Sequence, residues 1–429
     1  MEHSSLQTNS SLSTPQASHR GFWNLIATQF QGAFSDNALK NLVIFLILGM
    51  NLPHERANRM ISLVGIIFAI PFLLFSLAGG YLADRYSKRS VTISTKYLEI
   101  AVMLLALGGL AASSLPLQFA AIFLVCTQAA LFGGAKYGLM PELLRQTELS
   151  WGNGILELGT FIGALAGTMA GAFLADTFRG RQVWSGALLL AISTIGLVTS
   201  YNISRVPAAD VHRKYRWNPF ADLREQLGII RSNRLLALAV AGNMYFWYLA
   251  ALIVLAVVVY GTGSLGLTAL RTSYLQAAMA VGIGAGSVAA GYFSNKQIEY
   301  GFIPFGAGGM ALACAALSMP GLGYWTVFAE LGALGFFAGF FAVPINALIQ
   351  HLPPIECRGS VIATANLLSW VGIGLASAVY YVDAEIFHLA AQRTFLVSAI
   401  TTIVVMICVL VAQPDSLTRL SNRLRGRRV

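Results

Sequence analysis

Charge is what this 429-residue sequence lacks. Lys and Arg number 28, Asp and Glu 18, and together they make only 11% of the chain. That is about half the share of a soluble globular protein. Hydrophobic residues make 56%. A soluble enzyme, a disordered chain and a secreted disulfide scaffold are all excluded. Cysteine is scarce as well. Cys126, Cys314 and Cys408 lie in apolar runs and Cys357 stands in a loop, with no metal-site spacing. None of the six histidines (His3, His19, His54, His212, His351, His388) has an Asp five positions on. A membrane acyltransferase often needs that pair. No Gly-rich phosphate loop follows a strand, which argues against ATP-driven pumping within the chain. The sequence calls for no metal and no cofactor. Residues 1–20 are polar and lack the apolar core of a signal peptide.

What remains is a series of long, unbroken apolar runs. They exclude a transmembrane β-barrel, whose strands are short and alternating. Each helical span needs roughly 20 mostly apolar residues. Twelve fit: about 22–50, 58–83, 90–113, 116–140, 151–175, 182–203, 235–262, 270–293, 301–320, 324–349, 359–382 and 388–412. The expected fold is an all-α membrane protein of twelve transmembrane helices in two six-helix halves. The division is a disordered tail (1–20), a first bundle (21–203), a basic linker (204–234), a second bundle (235–412) and a basic tail (413–429). Within the linker, AADVHRKYRW and FADLREQLGIIR read as short amphipathic pieces on the membrane surface.

The net charge of +10 reflects topology, and no nucleic-acid partner is implied. With the N-terminus inside, the inner side holds 19 basic residues, the outer side 6, and three lysines lie within spans. The positive-inside rule then places both termini in the cytoplasm. The halves also echo each other. GYLADR (80–85) closes span 2 and GYFSNK (291–296) closes span 8. KYGLMPELL in the span 4 to span 5 region parallels VPINALIQHL in the span 10 to span 11 region, as in an internal repeat. Glycine is abundant, 42 residues, and runs such as GTFIGALAGTMAGAF suit close helix packing, or surfaces that slide.

GGYLADRYSKRSV (79–91) resembles the loop motif of the major facilitator superfamily: a Gly at a helix end, an Asp four residues on, then basic residues. Asp84 suits acceptance from a neighbouring helix N-terminus, and Arg85 helps hold the loop inside. Four further pieces resemble the bacterial lysophospholipid transporter family: TQFQGAFSDNALKN (28–41), GGAKYGLMPELL (133–144), GNGILELGTFIG (152–163) and GFFAVPINALIQ (339–350). The resemblance runs in order from span 1 to span 12. It implies a multi-pass protein of the bacterial inner membrane whose partners are membrane lipids and a lysophospholipid, chiefly lysophosphatidylethanolamine. That lipid would be flipped inward by alternating access and reacylated by a separate acyltransferase. Lys40, Glu99 and the long polar N-terminal tail stand outside the family pattern.

Charges within a bilayer are costly and mark sites. Asp36 falls near mid-bilayer in span 1, and Gln29, Gly32, Asp36 and Lys40 recur at helical spacing on one face. That stripe is expected to line a cavity; the alternative is an Asp36–Lys40 pair at i, i+4. Lys136 either snorkels to the headgroups or faces the cavity as a phosphate-holding cation. Lys96 and Glu99, at i, i+3, read as an intrahelical ion pair. Glu157 either answers a lysine across the bundle or binds a coupling cation. Glu330 reads as a gate or interfacial residue. The second half offers mainly amides, among them Asn346, and the aromatic run MYFWYL (244–249). A polar half facing an apolar, aromatic half suits an amphiphile. The competing reading is a cation-coupled exporter of drugs or small solutes on the same fold, with Asp36 and Glu157 carrying the cation.

Overall fold

The computed structural model describes residues 19–50, 52–214, 218–294, 297–386 and 390–413. Thirteen α-helices and no strand appear among them. The first six are α1 (His19–Gly49), α2 (His54–Arg85), α3 (Lys88–Ala111), α4 (Leu115–Leu143), α5 (Leu149–Thr177) and α6 (Val183–Tyr201). α7 (Pro219–Ser232) follows in the linker. The last six are α8 (Arg234–Val259), α9 (Ala269–Phe293), α10 (Phe302–Leu317), α11 (Tyr324–His351), α12 (Arg358–Tyr381) and α13 (Ala391–Ala412).

Eleven of these are long and apolar enough to cross a membrane. The twelfth, α10, has 16 residues, against the 301–320 expected from hydropathy. At ~1.5 Å per residue it spans roughly 24 Å, short of the ~30 Å hydrocarbon core. It stops early because turns lead into Gly321, whose φ of +78° lies in the left-handed region. Pro71, Pro141 and Pro344 sit inside α2, α4 and α11. Packed transmembrane helices tolerate them because neighbours re-satisfy the freed backbone groups.

Each half has its own apolar core. Leu39, Leu42, Val102, Met103 and Ile122 are among those filling the first. Phe246, Leu249, Leu275, Leu331 and Phe341 are among those filling the second. Of the linker, FADLREQLGIIR lies within helix α7. Asn218 caps it by accepting from the Phe220 and Ala221 N–H groups, and Pro219 occupies the first turn. The other expected amphipathic piece differs: residues 208–214 are irregular. The N–H groups of Ala209 and Asp210 donate to the Asp84 carbonyl at 3.1 and 2.9 Å, which holds this stretch as a strap. Tyr215–Trp217, residues 1–18 of the first tail and 414–429 of the last lie outside the described residues.

Gly21, early in α1, abuts Ser204 where α6 ends, and Gln413, after α13, shares a cleft with Leu235 at the start of α8. One end of the bundle therefore carries the start of α1, the end of α13 and the linker; we call it the linker end. Two seams join the halves, α2 against α12 and α5 against α9. The two echoed glycines explain themselves there. A Cβ on Gly80 would lie 2.6 Å from the Ala363 Cβ, and one on Gly291 would lie 2.8 Å from the Trp151 Cα. Each motif therefore begins with the residue that lets the opposite half approach to backbone contact. Asn295 and Lys296, which end the second motif, lie outside the described residues.

Candidate substrate site between the halves

At the linker end the seams are closed by directed bonds. Asp84 is fully buried. Its carboxylate accepts the Gly359 and Ser360 N–H groups at the start of α12, at 2.7 and 2.9 Å. Those are unsatisfied donors of a helix N-terminus, where negative charge is favoured. Arg213 of the strap adds a 2.8 Å ion pair. Arg85 donates to the Arg213 carbonyl, so the strap is held from both sides. Lys88 pairs with Glu142. Gln146 meets His351 at 2.9 Å, and Asn153 and Gln350 exchange reciprocal amide bonds of 2.9 and 2.7 Å. Farther along the seam, Phe72 stacks on Trp370 with ring centroids 4.3 Å apart.

Lys96 and Glu99 form the centre of a buried polar cluster in the first half. Both are fully buried, 2.6 Å apart. Gln31 bridges them, accepting from Lys96 at 2.7 Å and donating to Glu99 at 2.8 Å. Ser193 donates to Glu99 at 2.9 Å. A satisfied cluster of this kind locks α1, α3 and α6 together. It also fixes Gly196, where a Cβ would fall 1.7 Å from Gln31 Oε1.

Asp36, Lys40 and Lys136 behave differently. Each is half-buried. Asp36 Oδ1 is buried without a hydrogen-bond partner among the described residues. Lys40 is not paired with Asp36; it donates to Asn37 at 3.0 Å and sits 4.5 Å over the Phe68 ring. Lys136 has no hydrogen bond or ion pair among the described residues, and its ammonium lies 4.6 Å over the Tyr137 ring. Asp36 feels the charges of Glu99, Lys96, Lys136 and Lys40, and Lys136 those of Glu157 and Asp36.

The remaining candidates are spread over the bundle. Gln29 is buried and spent on α5, donating to Thr160 at 3.0 Å. Glu157 is buried and accepts from Tyr137 at 3.5 Å and from Asn346 of the other half at 3.3 Å. Glu330, in the second turn of α11, is half-buried with no hydrogen bond or ion pair among the described residues. Asn243 is spent on Ser369 at 2.8 Å. Part of the aromatic run goes into packing: Phe246 and Leu249 are buried, and Tyr245 bonds Thr402 at 2.6 Å. Tyr137, Asn346, Gln350 and Asn366 line a water-sized gap beside Glu157. On the outer face of the α5–α9 seam an apolar groove of about 550 Å³ runs between Leu158, Phe161, Ile162, Leu165, Val281 and Tyr292. No group of three or more His, Cys, Asp or Glu able to hold a metal occurs among the described residues.

Sequence reading passed over Gln31, Ser193, Tyr137, Gln350 and Arg213. None is conspicuous alone, and each takes its role from a partner distant in the chain.

Comparison with known proteins agrees with this architecture. The family model described as Major Facilitator Superfamily matches residues 30–377. A protein named lysophospholipid transporter LplT from Cronobacter sakazakii is 30% identical over 355 residues, covering 81% of this chain and 85% of its own. One of the same name from Klebsiella pneumoniae is 29% identical over 384 residues, covering 88% and 90%. Among solved structures, the E. coli fucose:proton symporter superposes with a TM-score of 0.73 at 14% identity, covering 91% of this chain and 98% of its own. The human organic anion transporter MFSD10 gives 0.72 at 13%, covering 90% and 99%. The family model covers most of the chain, and with twelve apolar helices in two halves joined along two seams, this chain belongs to the Major Facilitator Superfamily of membrane transporters.

Proposed function

We propose that this chain is a lysophospholipid transporter of the bacterial inner membrane. It moves lysophosphatidylethanolamine-type lipids from the outer to the inner leaflet by alternating access, with both termini in the cytoplasm. A separate acyltransferase then reacylates the lipid inside. The observation that carries this reading is the pair of unspent opposite charges, Asp36 and Lys136. A charge left without an internal partner within a bilayer is expensive. A zwitterionic headgroup supplies both missing partners at once: its ammonium meets Asp36 and its phosphate meets Lys136. The groove along α5 and α9 suits a single acyl chain, and relatives named as lysophospholipid transporters add weight. In this reading the closed linker end is the cytoplasmic gate.

The test is inward flipping of labelled lysophosphatidylethanolamine by the purified protein in liposomes, with and without an imposed ion gradient. Flipping that unlabelled lysolipid competes away supports the proposal. Gradient-driven movement of a small solute without lysolipid competition would replace it with the cation-coupled exporter, in which Asp36 and Glu157 carry the cation.

A further inference from the structure

Glu157 is a carboxylate of the first half that bonds directly to the second. It lies on α5, 4% exposed. Its partners are neutral: Tyr137 of its own half at 3.5 Å and Asn346 of the opposite half at 3.3 Å. One turn toward the linker end, α5 and α11 are tied again by the Asn153–Gln350 amide pair. Glu157 and Asn346 therefore form the rung of the α5–α11 ladder nearest the site. The cation whose charge Glu157 feels is Lys136, which also feels Asp36, sits over the ring of Tyr137 and has no hydrogen bond or ion pair among the described residues.

Resting on the transport reading above, we propose that Glu157 is a latch between cargo and gate. With the site empty, its negative charge is balanced by Lys136 and strengthens the bond from Asn346, which holds α5 against α11. An anionic phosphate arriving at Lys136 takes over that cation. Glu157 then faces a second negative charge nearby, and the arrangement tying it to Asn346 becomes the less stable one. Cargo with an anionic group thus has a differential interaction with the closed and open linker end, which any ligand needs in order to shift such an equilibrium. A lipid carrying only an ammonium would meet Asp36 and leave the latch shut.

Glu157→Gln tests this, because the amide keeps the acceptor shape but loses the charge. Charge-assisted bonds are about twice as strong as neutral ones, so the empty variant should populate the open linker end roughly fivefold more than wild type. Spin-label pairs on the full-length protein in liposomes read this out. Thr147 and Glu356, both exposed at the linker end, report one gate. Glu55 and Thr262, both exposed at the far end, report the other. In Glu157→Gln without lysolipid, the first pair should move apart and the second should approach; Asn346→Ala should do the same. A mere loss of packing would lengthen both pairs, and that result overturns the latch, as does a Glu157→Gln distribution equal to wild type. The lipid reading is separable. If lysophosphatidylethanolamine opens the wild type but empty Glu157→Gln stays shut, the latch fails and the lipid stands. If Glu157→Gln opens and the wild type ignores the lysolipid, the latch stands and the lipid as its trigger fails.

Discussion

Lys96→Met would leave Glu99 charged inside the first half with only neutral donors around it. Removing one member of a buried ion pair costs about 3–5 kcal/mol, because the other charge stays buried and unpaired. Gln31 at 2.8 Å and Ser193 at 2.9 Å still donate to Glu99, which puts the loss near the lower end, about 3 kcal/mol. For a unit of 150–250 residues each kcal/mol shifts the melting temperature by ~2–4 °C. Thermal unfolding of the purified protein in detergent should therefore fall by roughly 6–12 °C. The double variant Lys96→Met/Glu99→Gln removes both charges. Replacing a whole buried pair is often neutral or stabilising, so the double should recover most of the loss, and it should still transport. A double variant that melts as low as Lys96→Met alone would refute the reasoning, since no penalty for an unpaired charge would then exist.

Two further variants probe the packing. Gly196→Ala places a Cβ 1.7 Å from Gln31 Oε1, which forces Gln31 off both members of the ion pair. Its melting temperature should drop by an amount matching about 1–3 kcal/mol of overpacking, with Gly196→Ala/Gln31→Ala recovering part of it. Asp84→Asn keeps one acceptor for the Gly359 and Ser360 N–H groups but loses the charge that Arg213 and the α12 N-terminus favour. Its linker end should open more often, seen as faster labelling of a cysteine placed at Ser360 while labelling at the far end slows.

The helices and their number are legible in the sequence because hydropathy is the physical requirement for spanning a bilayer. α7 is legible because Asn218 and Pro219 are local start signals. The strap at 208–214 is not, because the Asp84 carbonyl, more than a hundred residues away in sequence, sets its shape. The same division holds at the site. Asp36 and Lys136 stand out as intramembrane charges, and Lys96 with Glu99 as neighbours on one helix face. That Gln31 completes their cluster follows only from how α1 and α3 pack within the first half, and that Glu157 reaches Asn346 across 189 positions only from how the two halves are pressed together. Gln29 shows the limit of face arguments: its spacing matches Asp36, yet Thr160 on α5 has already claimed it.

The measurement that bears most directly on the central claim is lysophosphatidylethanolamine flipping by Asp36→Asn and Lys136→Gln in liposomes, each checked for wild-type folding by its melting temperature. If the two unspent charges hold the two ends of a zwitterionic headgroup, each variant should lose at least tenfold in flipping. Lys136→Arg, which keeps the cation, should retain more of it. Correctly folded Asp36→Asn that flips at the wild-type rate would contradict the assignment.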